Sequence, residues 1–109
     1  MMTMMTRITN FESIKKYLLE KGMDFTGDVG HNYGEDEQII VIDQEVEEIG
    51  LLDATIIINN TEKSFRVDEL FHLKQDDKGR YFRDEEVNDP DGMIQRKFLD
   101  AIIMKSLEL

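Results

Sequence analysis

The densest spacing of oxygen donors in the sequence is Asp24-x-Thr26-x-Asp28-x-Gly30-x-Asn32-x-x-Glu35. It sets carboxylate, hydroxyl and amide oxygens at positions 1, 3, 5, 9 and 12 of an EF-hand-like loop, where such groups wrap a hard cation such as calcium. Two features depart from that pattern: Val29 stands where the sharp turn needs glycine, and a β-branched run, not a helical one, follows Glu35. The expectation is an acidic loop without a metal. A second run, Asp84-x-Glu86-x-Asn88-Asp89-x-Asp91, precedes a helical pattern. Asp89 and Asp91 there suit the positive end of a helix dipole better than a cation site.

Nucleophilic and acid–base chemistry has few candidates. His31 and His72 are the two histidines, neither in HExxH or HxxxH spacing, and there is no Cys. That removes thiol catalysis, disulfides and Cys-ligated zinc or iron–sulfur sites. No GxSxG or GxxxxGK[ST] motif occurs, and Asp28 inside Gly27-Asp28-Val29-Gly30 would repel a phosphate. Neither an enzymatic centre nor a cofactor is expected. Lys78, Arg80 and Arg83 flank Tyr81 and Phe82, a mix able to stack on nucleic acid, but Asp76, Asp77, Asp84, Glu85 and Glu86 surround them. Cross-strand pairing with core aromatics is the expected role of that segment.

Charge is the strongest signal. The 109 residues carry 24 acids against 13 Lys and Arg, a formal net charge of −11. All of it belongs to residues 22–62, a stretch of 41 residues with eleven acids and no Lys or Arg; the other 68 hold 13 acids and 13 bases. Such a balance opposes direct binding to nucleic acid or to an anionic membrane. It suits a partner that is itself basic. Asp28, Glu35, Asp36, Glu37, Asp43, Glu45, Glu47 and Glu48 are the expected partner-binding residues. Same-face residues of a strand recur every 6.6–7 Å or so, whereas duplex DNA carries one charge per roughly 1.7 Å of axis, so two strands and a loop are needed to approach its charge density.

The elements that must position these groups follow from periodicity. Residues 1–9 are expected as a disordered leader and residues 10–109 as one domain. Phe11, Ile14, Tyr17 and Leu18 make one apolar stripe, predicting a helix over residues 10–21 with Thr9 and Glu12 in capping-box spacing and Gly22 as a left-handed stop. A glycine-bearing loop over residues 23–34 is followed by a strand over residues 37–46. Its Ile39-Ile40-Val41-Ile42 core is apolar on both faces, so it is either covered twice or paired with another chain. Gly50 breaks the chain; strands are predicted over residues 54–59 and 63–67. Residues 68–71 read as a helical turn or a further strand. Gln75-Asp76-Asp77-Lys78-Gly79 joins residues 71–74 to 80–83 as a hairpin, and an acidic loop over residues 84–89 follows. Asp89 and Pro90 open a C-terminal helix ending at Leu107, with an apolar band wide enough to reach a partner.

The expected fold is α+β: an N-terminal helix, an antiparallel meander of four to five strands and a C-terminal helix in two layers. Without an 18-residue apolar run or an apolar N-terminal segment, a cytoplasmic location is expected. In being small, acidic, Cys-free and α/β-like, the chain resembles the DNA-mimic inhibitors of phages and mobile elements, such as anti-CRISPR, anti-restriction and uracil-glycosylase inhibitor proteins. The resemblance is one of composition and transfers no residue roles. It implies a non-enzymatic module that occupies the nucleic-acid groove of its target. The alternative is a homodimeric structural or adaptor protein with an apolar contact through Ile40, Ile42, Ile103 or Leu107.

Overall fold

The computed structural model describes residues 2–27 and 36–108. Helix α1 spans Met2–Lys21 and helix α2 spans Met93–Leu107. Between them run β1 (Met23–Asp24), β2 (Glu37–Val46), β3 (Gly50–Asn59), β4 (Ser64–Gln75) and β5 (Tyr81–Glu86). They form one antiparallel sheet in the order β1-β2-β3-β4-β5, a meander of near neighbours. The α+β architecture is that expected. No helix among the described residues is long and apolar enough to cross a membrane.

Both helices lie on one face of the sheet. Phe11, Ile14, Tyr17 and Leu18 of α1 and Phe98 and Ile102 of α2 share a core with Ile40, Ile42 and Val46 of β2 and Leu52, Ala54, Ile56 and Ile58 of β3. Gln44 lies on that face too, and is buried. Its carboxamide oxygen faces the Tyr17 hydroxyl at 3.5 Å and its amide donates to the Glu45 carbonyl at 2.9 Å. This keeps the polar group from being orphaned.

Several boundaries differ from those expected, each for a physical reason. α1 begins before Thr9, so Thr9 does not cap it; Met2, Met4, Met5 and Arg7 ahead of it are good helix formers, and residues 2–9 are continuous with the helix. Gly22 ends α1 without left-handed backbone. Its N–H donates to the Leu18 carbonyl at 2.9 Å, and a Cβ there would lie 2.4 Å from Ile40 Cγ2 and 2.8 Å from the Leu18 oxygen. Close approach, not φ, demands glycine. Gly50 opens β3 at φ 117°, paired with Val46 across the three-residue turn Glu47-Glu48-Ile49, in which Glu48 takes φ 70°. β4 runs straight through residues 68–71. Thr55 pairs with Glu69 but Ile56 with Val67, so Asp68 is the extra residue of a bulge. That bulge turns both Val67 and Leu70 toward the helices, a three-residue apolar spacing that mimics a helical turn.

α2 starts at Met93 with Gly92 as its N-cap in left-handed backbone. Asp89 still closes the helix end from outside it, accepting the amide hydrogens of Ile94 at 2.9 Å and Gln95 at 2.8 Å. Loss of water works against the Asp89 charge, but these amide donors prevail and hold its carboxyl below the usual range. Tyr81 and Phe82, expected in the core, are 57% and 45% exposed on the edge strand β5.

Candidate docking face on the outer side of the sheet

Strand alternation sorts the acids of β2. Its even-numbered residues from Ile40 to Val46 face the helices, so Glu37, Ile39, Val41, Asp43 and Glu45 face outward. β3 places Ile57, Thr55 and Asp53 opposite Ile39, Val41 and Asp43. Toward one end of this face the surface is apolar: Ile39 and Ile57 are paired and each only 1% exposed, although no helix lies on that side among the described residues. Glu37 reaches across β3 to Arg66 of β4 at 3.0 Å beside them. The strand expected to be two-faced is two-faced, and its second face is filled at Ile39.

Toward the other end the face is polar. Asp43 and Asp53 stand directly opposite each other in register, which for like charges is destabilising. Asp53 is buried. Arg83 of β5 donates through Nε to Asp53 Oδ2 and through Nη2 to Thr55 Oγ1 at 3.3 Å. Its Nη1 lies 3.9 Å from Glu69 Oε1, and its guanidinium sits 4.5 Å from the centre of the Phe71 ring, a cation–π contact. Asp53 Oδ1 is buried without a donor. The Asp43 carboxyl is pushed up to about 6, first by loss of water on its sheet-facing side, then by its hydrogen bond and repulsion with Asp53, while Arg83 pulls the other way.

The expected partner-binding residues separate into two groups. Asp43 and Glu45 lie on the outer face and Glu47 and Glu48 in the adjoining turn, where they line grooves with Lys97 and Lys105 of α2; all four are exposed. Glu45, Glu47 and Glu48 are in no ion pair among the described residues. Asp36 and Glu37 sit at the opposite end of β2, about 20 Å from Asp43 at strand rise. There they serve the fold. The Asp36 carbonyl accepts from the backbone and side chain of Asn60, its carboxylate accepts from Thr61, and Glu37 holds Arg66. Asp28 and Glu35 lie outside the described residues. Asp53, Glu69 and Arg83, absent from the expected site, are brought in by register.

The self-association residues divide too. Ile40 and Ile42 are buried beneath the helices and offer no surface, because their side of β2 is the helix-covered one. Ile103 packs half-buried against the core, whereas Leu107 and neighbouring Met104 are 59% and 68% exposed.

The other chemical candidates resolve as follows. Asp24 accepts the N–H of Thr26 at 2.8 Å, and residues 28–35 of the EF-hand-like spacing lie outside the described residues. Among the described residues no three His, Asp or Glu side chains converge on a metal position. His72 pairs with Leu52 on the helix side, half-buried, and His31 lies outside the described residues. On the late hairpin, Arg80 pairs with Asp76 and Lys74 with Asp84, as cross-strand and turn pairing predict. Comparison with protein-family models, curated proteins and solved structures finds no match for this chain.

Proposed function

We propose that this protein is a non-enzymatic, cytoplasmic binding module whose acidic sheet end docks in the basic groove of a nucleic-acid-binding protein and inhibits it by occupying that groove. The observation that carries the reading is the run of exposed carboxylates Asp43, Glu45, Glu47 and Glu48 at the end of β2 and in its turn, three of them in no ion pair among the described residues. Unpaired carboxylates on a rigid strand and a short turn lose little freedom on meeting a cationic partner, and they steer its approach. The two outward-facing arginines of the region, Arg66 and Arg83, are already held by Glu37 and Asp53.

The test is capture from host lysate at low and high salt, with wild type against the charge reversal E45K/E47K/E48K. A basic nucleic-acid-binding protein should be retained by wild type at low salt, displaced by added duplex DNA or RNA, and lost with the reversed variant. Retention indifferent to both the reversal and the competing nucleic acid would sink the reading.

A second reading rests on the exposed Met104 and Leu107 of α2, with Ile103 beneath them: a homodimer through that helix. An apolar contact of this kind persists in high salt. Light scattering that shows a monomer across the whole concentration range would exclude it.

A further inference from the structure

The Asp43–Asp53 pair contains a buried acceptor that no other group satisfies. The Asp53 side chain is 7% exposed and its Oδ1 has no donor. Arg83 does not supply one: its Nε donates to Asp53 Oδ2, its Nη2 to Thr55, and its Nη1 faces Glu69. Asp43, directly across the ladder, is the carboxyl within reach, and it can donate only when protonated. The groups around the pair do not remove the need for that proton. Glu45 follows on β2, Glu69 projects from β4, and Glu86 of β5 pairs with Phe71; among the described residues Arg83 is the cation that meets the pair.

We propose that Asp43 holds a proton toward the orphaned Asp53 Oδ1 in the free protein and releases it to solvent when a cationic group of the basic partner docks on Asp43, so that docking weakens as the medium acidifies. This rests on the acidic-face reading above and adds its regulation. The cation need only meet Asp43, the exposed member of the pair, while Asp53 stays beneath it on Arg83. With the Asp43 carboxyl at about 6, only a minor fraction is ionised near pH 5. Apparent affinity there should fall by up to about ten-fold relative to pH 7.5, since only the ionised fraction is competent.

The experiment uses the full chain and a fluorescein-labelled nona-arginine peptide, whose charge does not change over this range. Carboxyl carbon NMR of the wild type should show Asp43 titrating well above the ordinary carboxylate range, with its midpoint lowered by the peptide. Fluorescence anisotropy should show wild type binding more tightly near pH 7.5 than near pH 5. Asp43→Asn, whose amide can donate to Asp53 Oδ1 as the protonated acid does, should bind weakly with a flat pH profile. Glu45→Gln should weaken binding yet keep the slope. An Asp43 carboxyl that titrates in the ordinary range overturns the inference without recourse to any variant, as does wild-type pH dependence in Asp43→Asn. Should E45K/E47K/E48K abolish peptide binding while Asp43→Asn behaves as wild type, the proton coupling fails and the acidic-face reading stands. If peptide binding ignores that reversal as well, both fall.

Discussion

Replacing Asp43 by Asn should change how stability depends on pH, in a direction fixed by the register of two strands. In the folded protein the Asp43 carboxyl is raised from 3.8 to about 6, first by lost hydration and then by Asp53. A carboxyl whose folded value is raised contributes stability that is fully present below its unfolded value and is lost as pH rises through the folded value. The wild type should therefore lose stability between about pH 4 and pH 7, opposite to a salt-bridged aspartate. From about pH 5 to pH 7.5 roughly one ten-fold step in proton retention is surrendered, equivalent to about 1.4 kcal/mol. Asp43 is exposed on its outer side, so solvent screening reduces this to roughly 0.7–1 kcal/mol. Asn at position 43 cannot titrate and keeps a donor toward Asp53 Oδ1. Urea unfolding followed by circular dichroism at the two pH values should show the wild type losing that amount relative to the variant, or about 3–6 °C in Tm. Equal losses in both proteins would refute the proton on Asp43. A larger loss in the variant would show that the sign is wrong.

Gly22→Ala should destabilise by about 1–3 kcal/mol in denaturant titration, because the new methyl meets Ile40 and two backbone carbonyls that cannot give way; a stabilised variant would show that α1 can shift off the sheet. Glu48→Gly should raise stability by roughly 0.5–1 kcal/mol by relieving left-handed backbone in the β2–β3 turn, and a fall would mean that the Glu48 side chain contributes to the fold. Asp89→Ala should lower Tm by a few degrees near neutral pH. Its carboxyl is held low, so that contribution is present above about 3.8 and lost as pH falls through the lower folded value; the variant should converge with wild type in acid.

The elements with a clean period were legible from the sequence, and those with an irregularity were not. The α1 stripe of Phe11, Ile14, Tyr17 and Leu18, the limits of β2 and the 75–79 turn match the structure because each is set by local spacing. β3 starts at Gly50, four residues ahead of its expected start at Ala54, because a glycine that reads as a break is here the first paired residue after a three-residue turn. That misplacement hid the site. Counting back along β2 from Val46 and forward along β3 from Gly50 sets Asp53 opposite Asp43, a signal present in the sequence once the turn length is known. Arg83 was beyond reach for a different reason: the bulge at Asp68 and a second register shift between Phe71 and Leu73 decide which β5 side chain faces Asp53. Periodicity does not report bulges.

The division between an acidic segment and a neutral body has a structural consequence at Asp53. The pleat sends Asp43 and Glu45 outward and puts Gln44, the uncharged neighbour between them, into the helix-side core. Charge is thereby kept from the helix-side core, while on the outer face β3, flanked on both sides by strands, carries Asp53 below the surface. Residues 22–62 hold no Lys or Arg to neutralise it. The counter-charge comes from Arg83, thirty residues away on the edge strand. Docking of β5 and the burial of Asp53 should therefore be one cooperative event. Arg83→Gln should destabilise by about 2–3 kcal/mol, less than a fully enclosed pair because the Arg83 side chain is 35% exposed. Adding Asp53→Asn to that variant should restore most of the loss, since the cost lies in the uncompensated charge and not in the missing contact. Additive losses in the double variant, read by urea unfolding, would show that Arg83 stabilises β5 through Phe71 alone and that Asp53 does not depend on it.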